Sequence, residues 1–256
     1  MMKWTAVSRG TLVLGAVTAA VSVGAMSSGA RAQCISYTTY GSAYAQDFNT
    51  LASTGTSSTT PAGWAFSESG TNANTTYTAG TGSSNAGDTY SFGASSNTER
   101  AFGGLFSSSL VPTLGACFTN DGGGPIISLA ISYTGEQWRL GATGRTDRLD
   151  FQYSLNATSL TTGTWTDVDA LDFNAPNSTG TVGLLDGNAS ANRTAISSTI
   201  TGLSIAASSS FWIRWTDFNA TGSDDGLGVD DFSLTAATSP IATTAVSWGR
   251  VKGLYH

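Results

Sequence analysis

Period-two alternation of apolar and polar residues, broken every few residues by turn-forming clusters, constrains this chain more than any other feature. ISLAISYTG (127–135), RLDFQYS (148–154), SFWIRWTDF (210–218) and LGVDDFSLT (227–235) read as strands with one buried face. Shorter candidates are ISYTTY (35–40), GWAFSES (63–69), DTYSFG (88–93), RAFGGLF (100–106), ACFTN (116–120), TWTDVD (164–169) and TAISSTITGL (194–203). Between them lie SSTTPAG, TAGTGSSNAGD, NDGGGP and NATGSDDG, whose Gly, Pro, Asn and Asp supply turn conformations. No long window carries the 3.6-residue apolar period of a helix, and no fixed repeat suggests a solenoid or propeller. The expectation is one all-β domain, an antiparallel two-sheet sandwich of the jelly-roll kind.

Both ends of the chain fall outside this pattern. Lys3 and Arg9 precede an uncharged Ala/Val/Gly-rich stretch, residues 11–26, and Ala30-Arg31-Ala32 offers a cleavage site. Residues 1–32 read as a signal peptide, because the apolar run is shorter than the roughly 20 residues a spanning helix needs. The sandwich is assigned to residues 33–236. Residues 237–256 form a linker and a tail, SWGRVKGLYH, which is either a sorting or attachment signal or a frayed terminus. The expected location is secreted or at a bacterial cell surface, with no transmembrane helix after processing.

Charge narrows the partners. Removing Lys3, Arg9 and Arg31 leaves eight basic side chains against 17 acidic ones, a net charge of −9 with Lys252 as the only lysine. Such a chain does not neutralise phosphates, so nucleic acid is excluded as a partner and cations are favoured. Two cysteines, Cys34 and Cys117, are expected to pair in an oxidising compartment; two free thiols are the alternative.

Catalysis has few candidate groups. The only histidine is His256, the last residue, so no Ser–His or Cys–His nucleophile and no ordinary zinc site can be assembled. The three glutamates, Glu68, Glu99 and Glu136, do not line one strand face. The expectation is no enzyme activity.

The segment GSDDGLGVDDFSL (222–234) raises the sharpest question. Strand alternation places Asp230 on the same face as Phe232 and Leu234, hence in the core. A carboxylate buried there must be paired, hydrogen-bonded or metal-bound. Arg214 on the preceding strand is one candidate partner; a structural Ca2+, which takes oxygen ligands from carboxylates and carbonyls, is the other.

QDFNTL…TTPAGW (46–64) and the closing DDGLGVDDFSL resemble bacterial exported jelly-roll domains of the choice-of-anchor kind, which are distantly similar to MAM-type and carbohydrate-binding jelly rolls. The resemblance implies a calcium ligand near the first core strand facing the aspartate of the last, nominating Asp230 with Asp47 or Asn49. Asp224 and Asp225 are further candidate ligands. Asn49 stands where an acid is commoner, implying weaker affinity.

For a glycan ligand, the candidate aromatic platforms are Trp212 and Trp215 around Arg214, and Trp138 with Glu136 and Arg139; the alternative is that these tryptophans are core. The functional expectation is a secreted, non-catalytic module for polysaccharide or cell-surface glycan. The second expectation is a structural or adhesive surface protein contacting envelope proteins, with the tail as its attachment signal.

Overall fold

The computed structural model describes Met1 and residues 33–238; the expected signal peptide and most of the expected tail lie outside the described residues. The first strands are β1 (Ile35–Tyr37), β2 (Tyr44–Gln46), β3 (Thr56–Ser57), β4 (Trp64–Ser69), β5 (Tyr77–Gly80), β6 (Asp88–Phe92), β7 (Ala101–Leu105) and β8 (Val111–Asn120). They are followed by β9 (Ile126–Leu140), β10 (Arg148–Ser154), β11 (Thr166–Asp167), β12 (Phe173–Asn174), β13 (Gly183–Leu184), β14 (Arg193–Ile205), β15 (Ser210–Asp217) and β16 (Gly226–Thr238).

These strands form the expected two-sheet sandwich. The smaller sheet runs β1-β8-β15-β10-β11, with β4 beside β8 and β12 beside β10. The larger runs β13-β9-β16-β7-β6-β5-β3, with β14 beside β9 and β2 beside β16. Pairing is antiparallel except at β1–β8 and β5–β6, so both sheets are mixed.

Alternation along the long strands fills the space between the sheets. Leu149 and Phe151 of β10, Phe211, Ile213 and Trp215 of β15, and Leu129, Ile131 and Tyr133 of β9 all enter one core. At its centre the Trp64 and Trp215 rings stack 6.1 Å apart, and Phe232 packs edge-on against both at 5.2 and 5.8 Å. Buried indoles of this size contribute about 4–6 kcal/mol each in gross transfer, as an upper bound.

Cys34 and Cys117 form the expected disulfide. It fastens β1, which pairs with only three residues of β8, against the smaller sheet. Closing a loop across 83 residues stabilises the fold by about 4–5 kcal/mol on chain-entropy reasoning.

The larger sheet carries a second, smaller core on its outer face. Tyr90, Phe92, Ala101, Leu105 and Trp138 cluster there, with the Tyr90, Phe92 and Trp138 rings stacked in sequence at 5.0 and 6.1 Å. Two loops press onto this layer. A Cβ at Gly82 would stand 1.8 Å from the Trp138 carbonyl oxygen, and one at Gly187 2.4 Å from the Trp138 ring, so only glycine allows that approach.

β16 corrects the face assigned to Asp230. Leu227 and Val229 enter the main core, and so do Phe232 and Leu234, although simple alternation would put these two pairs on opposite faces. The register on β9 slips between Asp230 and Ser233, and Asp231 adopts φ 49°. This bulge adds a residue and resets the alternation. Asp230 therefore leaves the sheet on the side opposite Phe232.

Candidate metal centre and polar strip

Turned outward by the bulge, Asp230 meets Glu136 of β9 and Glu99, which precedes β7. One carboxylate oxygen from each lies within 4.8 Å of the others. Glu136 is fully buried, Asp230 is 6% exposed and Glu99 is half-buried. Trp138 Nε1 donates to Glu136 Oε2 at 2.9 Å, and Asn188 Nδ2 donates to Glu99 Oε2. Their remaining oxygens, Glu136 Oε1 and Glu99 Oε1, have no hydrogen-bond partner, and neither does Asp230 Oδ1. Burial pushes the Asp230 carboxyl up to about 8 and Glu136 up to about 7, with neighbouring carboxylates adding to both shifts. Arg193, opposite Glu136 on β14, is exposed and forms no ion pair with the cluster.

A second acidic centre closes one end of the main core. Asp147 and Asp225 are fully buried around Arg145, whose Nη1 lies 3.3 and 3.1 Å from their carboxylates. Asp217 and Asp224 are buried beside them. Backbone amides donate to all four: Arg148 N and Asp225 N to Asp147, Gly141 N to Asp225, Ala220 N to Asp224 and Phe106 N to Asp217. Burial raises Asp147 to about 7 and drives Asp217 well above the usual carboxylate range, with Asp147 and Asp224 adding like-charge repulsion.

A different surface forms on the outer face of the smaller sheet. Register aligns Gly115, Arg214, Gln152 and Asp167 in one row, and Thr113, Thr216 and Asp150 in the next. Arg214 Nε donates to Gln152 Oε1 at 2.6 Å, Gln152 donates to Asp167, and Arg148 pairs with Asp150. The Arg214 guanidinium lies 3.9 Å over the Trp165 ring, and that of Arg148 4.3 Å over Phe218. A groove of about 390 Å3 continues this strip, lined by Arg148, Asp150, Asp167, Asp169, Asp172 and Asn174.

Several residues nominated from sequence sit elsewhere. Trp138, Trp212 and Trp215 are 2%, 6% and 0% exposed, so none presents a ring face to a ligand. Trp215 is central core, Trp138 belongs to the outer layer, and Trp212 is covered by Ala157 and Leu160. Arg139 donates to the Gly82 and Ser83 carbonyls and makes no ion pair with Glu136. Arg214 faces Gln152 and the Leu160 carbonyl instead of Asp230. Asp47 is an exposed turn residue that accepts from Asn49 N, and Asn49 Oδ1 accepts from Arg100 N. Asp224 and Asp225 belong to the Arg145 centre. Of the expected ligand set only Asp230 reaches the carboxylate cluster. Glu99, Asp147 and Asp217 escaped sequence reading as site residues. The scarcity of glutamate was the available signal, since two of only three meet at one point.

Fold and sites together define an all-β sandwich with a buried carboxylate cluster on one outer face and a polar strip on the other. No family model and no curated protein matches the chain. Among solved structures, it is similar to TmCBM61 in complex with beta-1,4-galactotriose, at 11% identity and TM-score 0.35, covering 67% of this chain and 88% of that one. It is also similar to the CBM22-1 xylan-binding domain of Paenibacillus barcinonensis Xyn10C, at 10% identity and TM-score 0.32, covering 60% and 83%. A third similarity is to the enzymatically active domain of bacteriophage CBA120 tailspike protein 4, at 11% identity and TM-score 0.37. It covers 68% of this chain and 19% of the tailspike, so the chain spans about a fifth of that protein's length. Among the described residues, no helix is long and apolar enough to cross a membrane.

Proposed function

We propose that this protein is a secreted, non-catalytic module that binds polysaccharide or cell-surface glycan on the outer face of its smaller sheet. One observation carries the reading: planar polar side chains Arg148, Asp150 and Gln152 of β10 and Arg214, in register with Gln152, stand along an open groove that Arg148 and Asp150 line, with Phe218 against Arg148 and Trp165 against Arg214. Sugar hydroxyls are both donors and acceptors, and a row of carboxylate, amide and guanidinium groups matches them with oriented, charge-assisted hydrogen bonds. Arg214 and Thr216 of β15 and Phe218, just past its end, follow along the chain over about 14 Å at roughly 3.4 Å per residue, suited to a short run of sugar rings.

Four aspartates against one arginine make the groove acidic. Neutral polymers are therefore its substrate class, and polyuronates are repelled. A non-catalytic role is supported by the burial of Glu136 and Asp230, which keeps that carboxylate pair from a polymer on the surface.

The test is retention of the purified protein on insoluble neutral polysaccharides and on a polyuronate. Saturable binding to a neutral polymer, weakened at least tenfold by Asp150→Ala with Gln152→Ala, is expected. Absence of retention on every neutral polymer, or binding indifferent to both substitutions, would overturn the reading.

A second reading has its own observation. β14 pairs with β9 alone, is largely exposed over 13 residues and carries one charge, Arg193. Bare edges of this kind accept another strand. That favours a structural or adhesive surface protein, and concentration-dependent self-association abolished by Ser198→Lys would support it.

A further inference from the structure

We infer that Glu99, Glu136 and Asp230 form a calcium centre that clasps the 93–100 and 185–192 loops onto the outer face of the larger sheet. The inference is independent of glycan binding. It rests on two observations: the three carboxylates each bring an oxygen within 4.8 Å of the others, and each of the three has a buried oxygen without a hydrogen-bond partner. Glu136 and Asp230 are more than nine-tenths buried, where an unpaired carboxylate costs several kcal/mol unless something neutralises it.

No ion pair within the described residues does so, and Arg193 acts on Glu136 only at longer range. The salt bridges there involve Arg145 and Arg148 only. Trp138 and Asn188 each satisfy one oxygen of a glutamate, fix its carboxylate in place and leave its other oxygen without a partner. The chemistry selects a hard cation, because every donor is a carboxylate oxygen and no His or Cys takes part. Calcium suits an irregular set drawn from three separate elements, whereas magnesium demands near-ideal octahedral geometry and sheds water reluctantly. Water completes the shell on the half-buried side of Glu99.

The arrangement also shows what the ion does. Glu99 closes the 93–100 loop, and Asn188 brings the 185–192 loop to Glu99. Leu185 N donates to the Trp138 carbonyl at 2.8 Å, and Gln137 N to the Asn192 carbonyl at 2.8 Å, so the second loop lies against β9. Beneath the 185–192 loop sits Trp138, whose ring stacks on Phe92. An ion held by Asp230 and Glu136 of the sheet and Glu99 of a loop ties that cover down.

The experiment uses the chelator-treated full chain. Calcium titration by calorimetry should show one site. Calcium at a hundredfold its Kd should raise Tm by roughly 5–10 °C, with magnesium giving less than half of that. Glu136→Gln and Asp230→Asn should abolish the rise, and Asp47→Asn, at the exposed turn, should leave it intact. If Glu136→Gln does not fold, Glu99→Gln on the half-buried side carries the same test. Calcium should also slow proteolysis within 93–100 and 185–192 and leave the 155–165 loop unaffected. Absence of a calcium effect in the wild-type chain, an equal response to magnesium, loss of the response in Asp47→Asn but not in Glu136→Gln, or no protection of the two loops would overturn the assignment.

Discussion

One segment of β16 and its approach supplies carboxylates to two buried centres, and the two solve the same electrostatic problem differently. Asp224 and Asp225 enter the Arg145 centre, where each aspartate accepts a backbone N–H and Asp147 and Asp225 also flank a guanidinium. Asp230, five residues beyond Asp225, joins a cluster with no ion pair and with three orphaned oxygens. The first set is held by backbone N–H groups and one guanidinium, although Asp217 Oδ1 is left without a partner. The second has no guanidinium or ammonium paired with it among the described residues. Burial alone therefore does not separate the two centres; the absence of a paired cation from three converging carboxylates does.

The largest expected effect comes from taking away the internal cation. Arg145→Met leaves four buried carboxylates facing one another, and breaking a buried pair in this way costs about 3–5 kcal/mol. Urea denaturation should show that loss with and without calcium. The same measurement on Glu136→Gln in chelator should show no such loss, since it removes a carboxyl that has no cation partner. Equal behaviour of the two variants would erase the distinction between the centres.

A smaller effect tests how the Arg145 centre balances its excess of acid. Burial raises Asp147 to about 7 and Asp217 well above its ordinary range. Below an unfolded-state value near 4, both states are protonated and the stabilisation is fully present. As pH rises toward and through the folded value, the unfolded chain gives up protons that the native state retains, so stability falls. In calcium-saturated protein the unfolding free energy should decline from pH 5 to pH 8. Asp217→Asn keeps an acceptor for Phe106 N and removes one retained proton, so it should flatten the decline by about 1 kcal/mol per pH unit. An unchanged slope would mean that Asp217 is already ionised in the native protein.

Much of the sandwich was legible in sequence because alternation is a local signal. RLDFQYS emerges as β10 residue for residue, SFWIRWTDF as all of β15 with Phe218 beyond it, and LGVDDFSLT as the core of β16. The short strands β2, β3, β5, β12 and β13 were missed, since two to four residues cannot display a period. TWTDVD shrank to Thr166–Asp167, which pairs with β10 only at Gln152 and Tyr153. The disulfide was readable from compartment and count. The cluster was only half readable: Asp230 declared itself as an acid among apolar neighbours, but its partners did not. Glu136 meets it across a neighbouring strand, and Glu99 arrives from a loop 131 residues earlier in the chain. The three tryptophans failed as platforms for a related reason, because sequence shows which residues alternate but not which face a loop later covers.

The smallest effect concerns the backbone that separates Asp230 from the core. Asp231 sits at φ 49°, in the left-handed region that glycine enters freely, aspartate tolerates and other side chains resist. Asp231→Ala and Asp231→Gly both remove the carboxylate that repels Asp230 and Glu136, so the difference between them isolates the conformation. Glycine should fall within about 0.5 kcal/mol of wild type, and alanine should be less stable than glycine by about 1 kcal/mol. The alanine variant should also weaken any calcium response, because a shifted bulge would re-aim Asp230. Identical stabilities would show that the positive φ is not what holds the bulge, and the separation of the two centres would then rest on the packing of Val229 and Phe232 alone.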